Sequence, residues 1–205
     1  HEIIDKYKSS IHKILIEKDK GIYDAMNKGL KRAQGEIICF LNSDDFYSSK
    51  NIIKEVVSMM IRMKIDALYG DVAYFRKNNK NKIIRRFSSS LFKPERMKYG
   101  IMPAHPALFL KNNIKKQSGL FKIYYKISGD FEYILRIFTH NNIRYFYLAK
   151  IIVYMQIGGI STRGIRSYLL SNKEILRACK ENGLNTNIFL ICLRYIYKIL
   201  EMFKK

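Results

Sequence analysis

Apolar positions along this chain follow two periods, one suited to helices and one to short covered strands. From Ile22, the positions Ile22, Met26, Leu30 and Ala33 fall on one helical face, and Gly35 stands where a helix C-cap belongs. "EIICFL" (36–41) is short and apolar throughout, the pattern of a parallel strand covered on both faces. Ser49 is placed to cap a helix whose inner side holds Ile52, Ile53, Val56, Met60 and Met63. "DALYGDVAYF" (66–75) is the next strand, and polar "RKNNKNK" followed by "IIRRF" predicts a hairpin beside it. Pro94, Pro103 and Pro106 mark an irregular middle section running to "ALFL". A helix from about Asp130 to His140 uses Phe131, Ile134, Leu135 and Phe138, and strand-like "RYFYLA" and "IIVYM" follow.

After Gly158-Gly159 the pattern is helical, with "SNKE" (171–174) as a capping box and Gly183 as a stop. Ahead of all this, "KILIEK" (13–18) reads as a short strand. "HEIIDKYKSS" reads as the middle of a helix with no N-cap before it, so the true start is expected further upstream. Alternating strands and helices, then helices alone, predict an α/β domain over 1–165 and a helical tail over 166–205.

Composition narrows the class. The chain has 205 residues, 48% of them apolar, enough for one domain with a real core. Lys and Arg number 38 against 17 Asp and Glu, a formal charge of +21. That balance fits an anionic partner (nucleic acid, an acidic membrane surface or a phosphate-bearing substrate) and equally a basic solvated surface. Lysines are scattered and no DNA- or RNA-binding motif occurs, which argues against nucleic acid as partner. Cys39, Cys179 and Cys192 are widely spaced, without CxxC. They read as buried free thiols in a reducing compartment, against a zinc site or disulfide framework. No signal peptide is present, and no run reaches the length of a bilayer span. The longest apolar stretch, "NIFLICLRYIYKILEMF" (187–203), is broken by Arg194, Lys198 and Glu201. It suits a helix lying on a membrane surface, or one packed on the domain or a partner.

Two places carry candidate chemistry. Asn42-Ser43-Asp44-Asp45 follows "IICFL", at the carboxyl end of a strand, where open α/β sheets bind ligands. Adjacent carboxylates attract Mg²⁺ or Mn²⁺, which keep coordination positions open for phosphate oxygens; the plain alternative is a turn with a helix cap. Asp130, directly after Gly129 at a helix start, is either a helix cap or a general base at the edge of a cleft. Glu132, two residues on, faces away from it.

Together these segments resemble a known family. "DKGIYDAMNKGLKRAQGEIICFLNSDD", "PAHPALFLKNN", "SGLFKIYYKISGDFEYILR" and "IGGIS" recur in order and with suitable spacing over about 1–165. They resemble the family 2 glycosyltransferases of GT-A fold, which implies an α/β domain with a mostly parallel central sheet. The resemblance implies that Asp44 and Asp45 form the DxD-type metal site, with Asn42 at the usual first acid and Asp44 also holding the sugar nucleotide. It makes Asp130 the base for an inverting displacement at the anomeric carbon. Asp19 and Lys20 then line the nucleotide pocket, or form a solvated turn. "GIYDAMNKG" matches the family's A-R-N-x-G segment at Ala25, Asn27 and Gly29, with Met26 in place of Arg, which puts Asn27 on the donor side.

The same likeness brings His105 to the acceptor, or else to packing. Gly158, Gly159 and Ser161 resemble a flexible loop near the diphosphate, where Arg163 and Arg166 could donate to phosphate, or else a turn into the tail. The implied setting is bacterial surface-polysaccharide assembly (capsule, O-antigen or exopolysaccharide). The implied enzyme is cytoplasmic or peripheral at the inner membrane face, with a nucleotide-sugar donor, a saccharide or lipid-linked acceptor, and Mn²⁺ or Mg²⁺. The family's opening strand, base-holding loop, helix and second strand have no counterpart before His1. The chain therefore reads as N-terminally truncated and is expected to bind sugar nucleotide poorly alone. The rival reading is a non-catalytic remnant or interaction module of that fold.

Overall fold

The computed structural model describes residues 2–76, 79–157 and 164–203. A short helix α1 (Glu2–Lys6) leads through irregular chain to α2 (Ile22–Arg32), β1 (Ile37–Ile38), β2 (Phe46–Tyr47) and α3 (Ile52–Arg62). β3 (Ala67–Arg76) and β4 (Asn79–Phe87) form the expected hairpin. After the proline-marked section come β5 (Leu108–Lys111), α4 (Ile114–Ser118), α5 (Gly129–His140) and β6 (Tyr145–Gln156), then α6 (Gly164–Glu181) and α7 (Ile188–Phe203).

The sheet runs β1-β5-β3-β6-β2, with β4 also on β3. It is mixed rather than mostly parallel: β3 and β6 pair in parallel, and the other described pairings are antiparallel. A parallel pair needs a long crossover, which the segment carrying α5 supplies, whereas β4 turns straight back along β3. The pleat sorts side chains into two layers. Ala67 and Tyr69 of β3, with Leu108 and Leu110 of β5, pack towards α2, α5, α6 and α7. Leu68, Val72 and Phe109 point the other way, onto Ile52, Val56 and Met60 of α3. Ile175, Ala178, Cys179 and Ile191 belong to the first layer, so the helices expected as a tail share the domain's core.

Several expectations are corrected. "EIICFL" yields a two-residue strand, antiparallel to β5 and at the sheet edge; its Phe40 leaves the ladder to pack on His105 and Phe121. "KILIEK" forms no strand, because no described strand lies beside it; Leu15 and Ile16 are exposed and Glu17 pairs with Arg32 of α2. α2 buries Tyr23, Asn27 and Leu30, a face turned one position from the predicted one, which leaves Ile22 exposed. Its C-cap is Ala33, not Gly35, and its last carbonyls accept from Lys115 Nζ and Asn112 Nδ2 instead of a glycine turn.

Asn51 rather than Ser49 is the N-cap of α3; Ile52, Val56 and Met60 are buried as expected, but Ile53 and Met63 are exposed. "SNKE" lies inside α6 and starts no helix. Gly183 ends the α6 turn in the left-handed region (φ 71°), as expected. The three cysteines are free thiols, but only Cys179 is buried; Cys39 is half-buried and Cys192 exposed.

Candidate active site

Asp130 is the second residue of α5, and three unlike elements fix it there. Tyr23 of α2 donates its hydroxyl to Ile127 O (2.7 Å) and accepts from Gly129 N (2.8 Å). The ring lies so close that a Cβ on residue 129 would sit 2.7 Å from it, so only glycine fits ahead of Asp130. From α6, Glu174 accepts the backbone N–H groups of Lys126, Ile127 and Ser128 at 2.7–2.9 Å. The "SNKE" glutamate thus caps the turn before α5, not the start of its own helix. One Asp130 carboxylate oxygen accepts from Phe131 N (2.8 Å).

The carboxyl group opens onto a cleft of about 600 Å³ bounded by the 85–106 region, the start of α5, and α6 and α7. Among the described residues Asp130 is the only acid lining it. Loss of water around the group pushes its pKa up to about 6, above the ordinary carboxylate range; neighbouring Glu174 adds to the rise and backbone N–H groups partly offset it. A carboxylate in that range is mostly ionised at neutral pH yet far more basic than an exposed one, which suits proton abstraction. His105 lines the same cleft between Pro103 and Pro106. Its ring stacks on Phe40 (5.3 Å between centroids), and burial lowers its pKa to about 4, so it stands there as a neutral imidazole.

Asp44 and Asp45 lie in the turn between β1 and β2. Asp45 accepts from Asn42 Nδ2 (2.8 Å) and, at 3.4 Å, from Gln156 N. Burial is the first cause raising the Asp45 pKa, and Asp44 beside it adds to the rise. Among the described residues no basic side chain pairs with either acid. The 40–45 segment thus spans from His105, through the Phe40 ring, to Gln156, whose neighbour Met155 lines the Asp130 cleft. Two adjacent hard oxygen donors without a cationic partner fit a divalent ion that takes its other ligands from phosphate and water. Among the described residues no cluster of three or more ligating side chains occurs.

Other expected residues lie elsewhere. Asp19 pairs with Lys28 (2.8 Å) in an exposed network with Glu17 and Asp24, and the Lys20 amide caps onto Asp24. Neither lines the cleft. Asn27 is buried, and both ends of its amide bond the backbone of Phe121 (2.8 Å each), a pin between α2 and the 121 region rather than a ligand group. Glu132 faces the core as an ion-pair partner of Lys122 and Arg136. Arg166 is exposed in the first turn of α6. Gly158, Gly159, Ser161 and Arg163 lie outside the described residues.

Sequence reasoning missed Tyr23 and Glu174, and also Asp71. The last is fully buried on β3 and accepts from Arg86, Ser89 N and Tyr147 OH, while Ser89 Oγ ties Gly70 O to Ala104 N. That network sets the wall bearing Ser89 and Ala104. Its one visible signal was a charged residue amid the apolar "LYGDVAYF".

The glycosyl transferase family 2 model matches residues 1–138, and the chain belongs to that family. It is 25% identical over 145 residues (70% of this chain, 54% of the relative) to a PGL/p-HBAD biosynthesis glycosyltransferase of Mycobacterium bovis. It is 33% identical over 86 residues (42% and 32%) to the UDP-Glc:alpha-D-GlcNAc-diphosphoundecaprenol beta-1,3-glucosyltransferase WfgD of Escherichia coli. Its fold matches that of the mannosyltransferase PcManGT from Pyrobaculum calidifontis, solved with GDP-Man and Mn²⁺, at a TM-score of 0.56 and 12% identity over 91% of this chain and 52% of that one. The chain thus spans about half or less of the length of these relatives. The fold is GT-A, and the family's work is glycosyl transfer in polysaccharide and glycolipid biosynthesis.

Proposed function

We propose that this chain carries the donor- and acceptor-facing half of a metal-dependent, inverting glycosyltransferase of bacterial cell-surface polysaccharide or glycolipid assembly. The observation that carries the reading is Asp130: a carboxylate, raised towards neutrality, in a cleft whose lining residue His105 stacks on Phe40, four residues ahead of Asp44.

In this reading the acceptor hydroxyl lies against Asp130, which takes its proton as the oxygen attacks the anomeric carbon from the side opposite the leaving diphosphate. Asp44 and Asp45 are the residues that would hold a divalent ion, and such an ion, when bound, would supply positive charge for a leaving diphosphate. His105, neutral and stacked on Phe40, shapes the wall at the acceptor side and can exchange hydrogen bonds without adding charge. The donor is a nucleotide sugar, as it is for the Escherichia coli glucosyltransferase, which uses UDP-Glc, and as GDP-Man bound to the Pyrobaculum calidifontis mannosyltransferase supports. The acceptor is a saccharide, free or lipid-linked. Among the described residues no helix is long and apolar enough to cross a membrane. α7 leaves Phe189, Leu193 and Ile196 exposed, and with a formal charge of +21 this fits peripheral contact with an anionic membrane surface. The test is transfer by the full chain with each of Asp130, Asp44 and Asp45 replaced in turn. Loss of transfer with donor binding kept is expected only for Asp130, and loss of metal-dependent donor binding only for the other two.

A further inference from the structure

The cleft that holds Asp130 also holds two guanidinium groups, and neither has a carboxylate partner among the described residues. Arg85 comes from β4 and Arg194 from α7, elements that pack against each other. The described ion pairs engage neither one. The Arg85 guanidinium lies over the Tyr74 ring, 4.9 Å from its centroid. The Arg194 guanidinium lies 5.0 Å from the Tyr195 centroid, and its Nη2 donates to Asn172 Oδ1 (2.6 Å), Tyr195 OH (3.0 Å) and Ser171 Oγ (3.2 Å). All of these partners are neutral. The Arg194 Nε–H is buried with no acceptor among the described residues. A buried donor without a partner is destabilising until an acceptor reaches it, and a cation held in place by neutral groups keeps its full charge for a ligand.

The other charges around the cleft do not cancel these two. Among the described residues Asp130 is its only acid, His105 is neutral, and Glu174 behind the α5 turn is already hydrogen-bonded to three backbone N–H groups. Ser171 Oγ, which accepts from Arg194, lies 2.9 Å from Ser128 Oγ, two residues before Asp130. Arg194 is therefore tied through two hydroxyls to the turn that places the proposed base. A site with one base and two fixed guanidinium groups suits a substrate that offers a hydroxyl at one end and a phosphate at the other.

We infer that Arg194 and Arg85 form an acceptor subsite for a phosphate or diphosphate carried by the sugar acceptor. This rests on the reading of Asp130 as the base of a glycosyltransferase. The phosphate can come from a lipid carrier or from a soluble sugar phosphate. Leu169 on α6 and Leu193 and Ile196 on α7 are exposed apolar residues on the two helices that help line the cleft, a surface suited to a prenyl chain.

The first test is independent of turnover. Binding of inorganic pyrophosphate to the full chain, in EDTA so that a metal at Asp44 and Asp45 cannot contribute, is measured by calorimetry. Arg194→Gln and Arg85→Gln are each expected to weaken it at least tenfold, and Arg194→Lys less than Arg194→Gln. Arg85 lies apart from the α6–α7 contact, so its variant reads the subsite even if Arg194→Gln disturbs the helix pair. Equal pyrophosphate binding by wild type and both Gln variants overturns the inference.

The second test compares N-acetylglucosamine 1-phosphate, farnesyl diphospho-N-acetylglucosamine and octyl N-acetylglucoside as ligands. Both phosphorylated probes are expected to bind more tightly than the uncharged glycoside, and only in the presence of Arg194. A further tenfold gain for the farnesyl probe identifies the lipid carrier as the source, and equal binding of the two identifies the soluble phosphate. Tightest binding of the octyl glycoside overturns the subsite. Failure of the underlying reading shows differently, as full glycosyl transfer by Asp130→Asn with pyrophosphate binding unchanged.

Discussion

The two sides of α2 illustrate opposite ways of using charge. On the outer side Glu17, Asp19 and Asp24 gather around Lys28 in water, with β1 at the sheet edge and Ile16 exposed nearby. On the inner side Tyr23 and Asn27 reach the turns that lead into α5, and each polar atom there has a defined partner. Exposed ion pairs gain little over hydration and are screened by salt, whereas a buried polar link fails as a unit when one member is removed. Geometry that chemistry depends on is therefore expected on the inner side, where Asp130 sits.

The largest expected effect is on catalysis. Asp130→Asn should lower transfer about 10²–10⁴-fold, read by steady-state kinetics, while donor affinity by calorimetry stays within about threefold. The same change should raise stability. The folded pKa of about 6 lies above the ordinary 3.8, so the folded chain holds the proton more tightly and loses stability as pH rises through that interval. A neutral amide removes that loss, roughly 3 kcal/mol at pH 7, visible as a higher Tm. Next comes a direct test of the contrast between the two sides. Ile134→Ala, at a fully buried position, should cost about 3 kcal/mol in denaturant melts, and Ile16→Ala, 70% exposed, less than about 0.5. Similar losses at both positions would erase the distinction.

Asp45→Ala should weaken manganese-dependent donor binding about tenfold, in the range of one lost charged contact, and leave metal-free binding unaltered. The smallest effect belongs to Asp19→Ala, which removes a surface pair with Lys28 and should cost less than about 0.5 kcal/mol. A tenfold fall in donor affinity for that variant would move the outer side of α2 into the binding site and reverse the contrast.

Much of this was legible in the chain because it depends on local pattern. β3, the β3–β4 hairpin, α5 and the turn at Gly183 come straight from periodicity and from glycine, and the motifs around Asp44, Asp45 and Asp130 stood out by chemistry and order. What failed to show depends on partners distant in sequence. "KILIEK" has strand composition but no neighbour to complete a ladder. "SNKE" has the letters of a capping box, but its glutamate caps a turn nearly 50 residues earlier. The α2 face was misjudged by one position because Tyr23 and Asn27 are polar-tipped residues that bury when the far end of the chain supplies their hydrogen bonds. Asp71 gave only the bare oddity of an acid in an apolar strand, since its partners come from β4, the 88–90 turn and β6.

The central claim is that a single water-poor carboxylate takes the acceptor's proton. The measurement that meets it most directly is the pH dependence of transfer by the full chain at saturating donor and metal. The account predicts a rate that falls about tenfold per unit as pH drops below about 6, the limb set by protonation of Asp130, and no such limb in the residual activity of Asp130→Asn. A rate that stays level down to pH 4.5, or an unchanged limb in the variant, would contradict it.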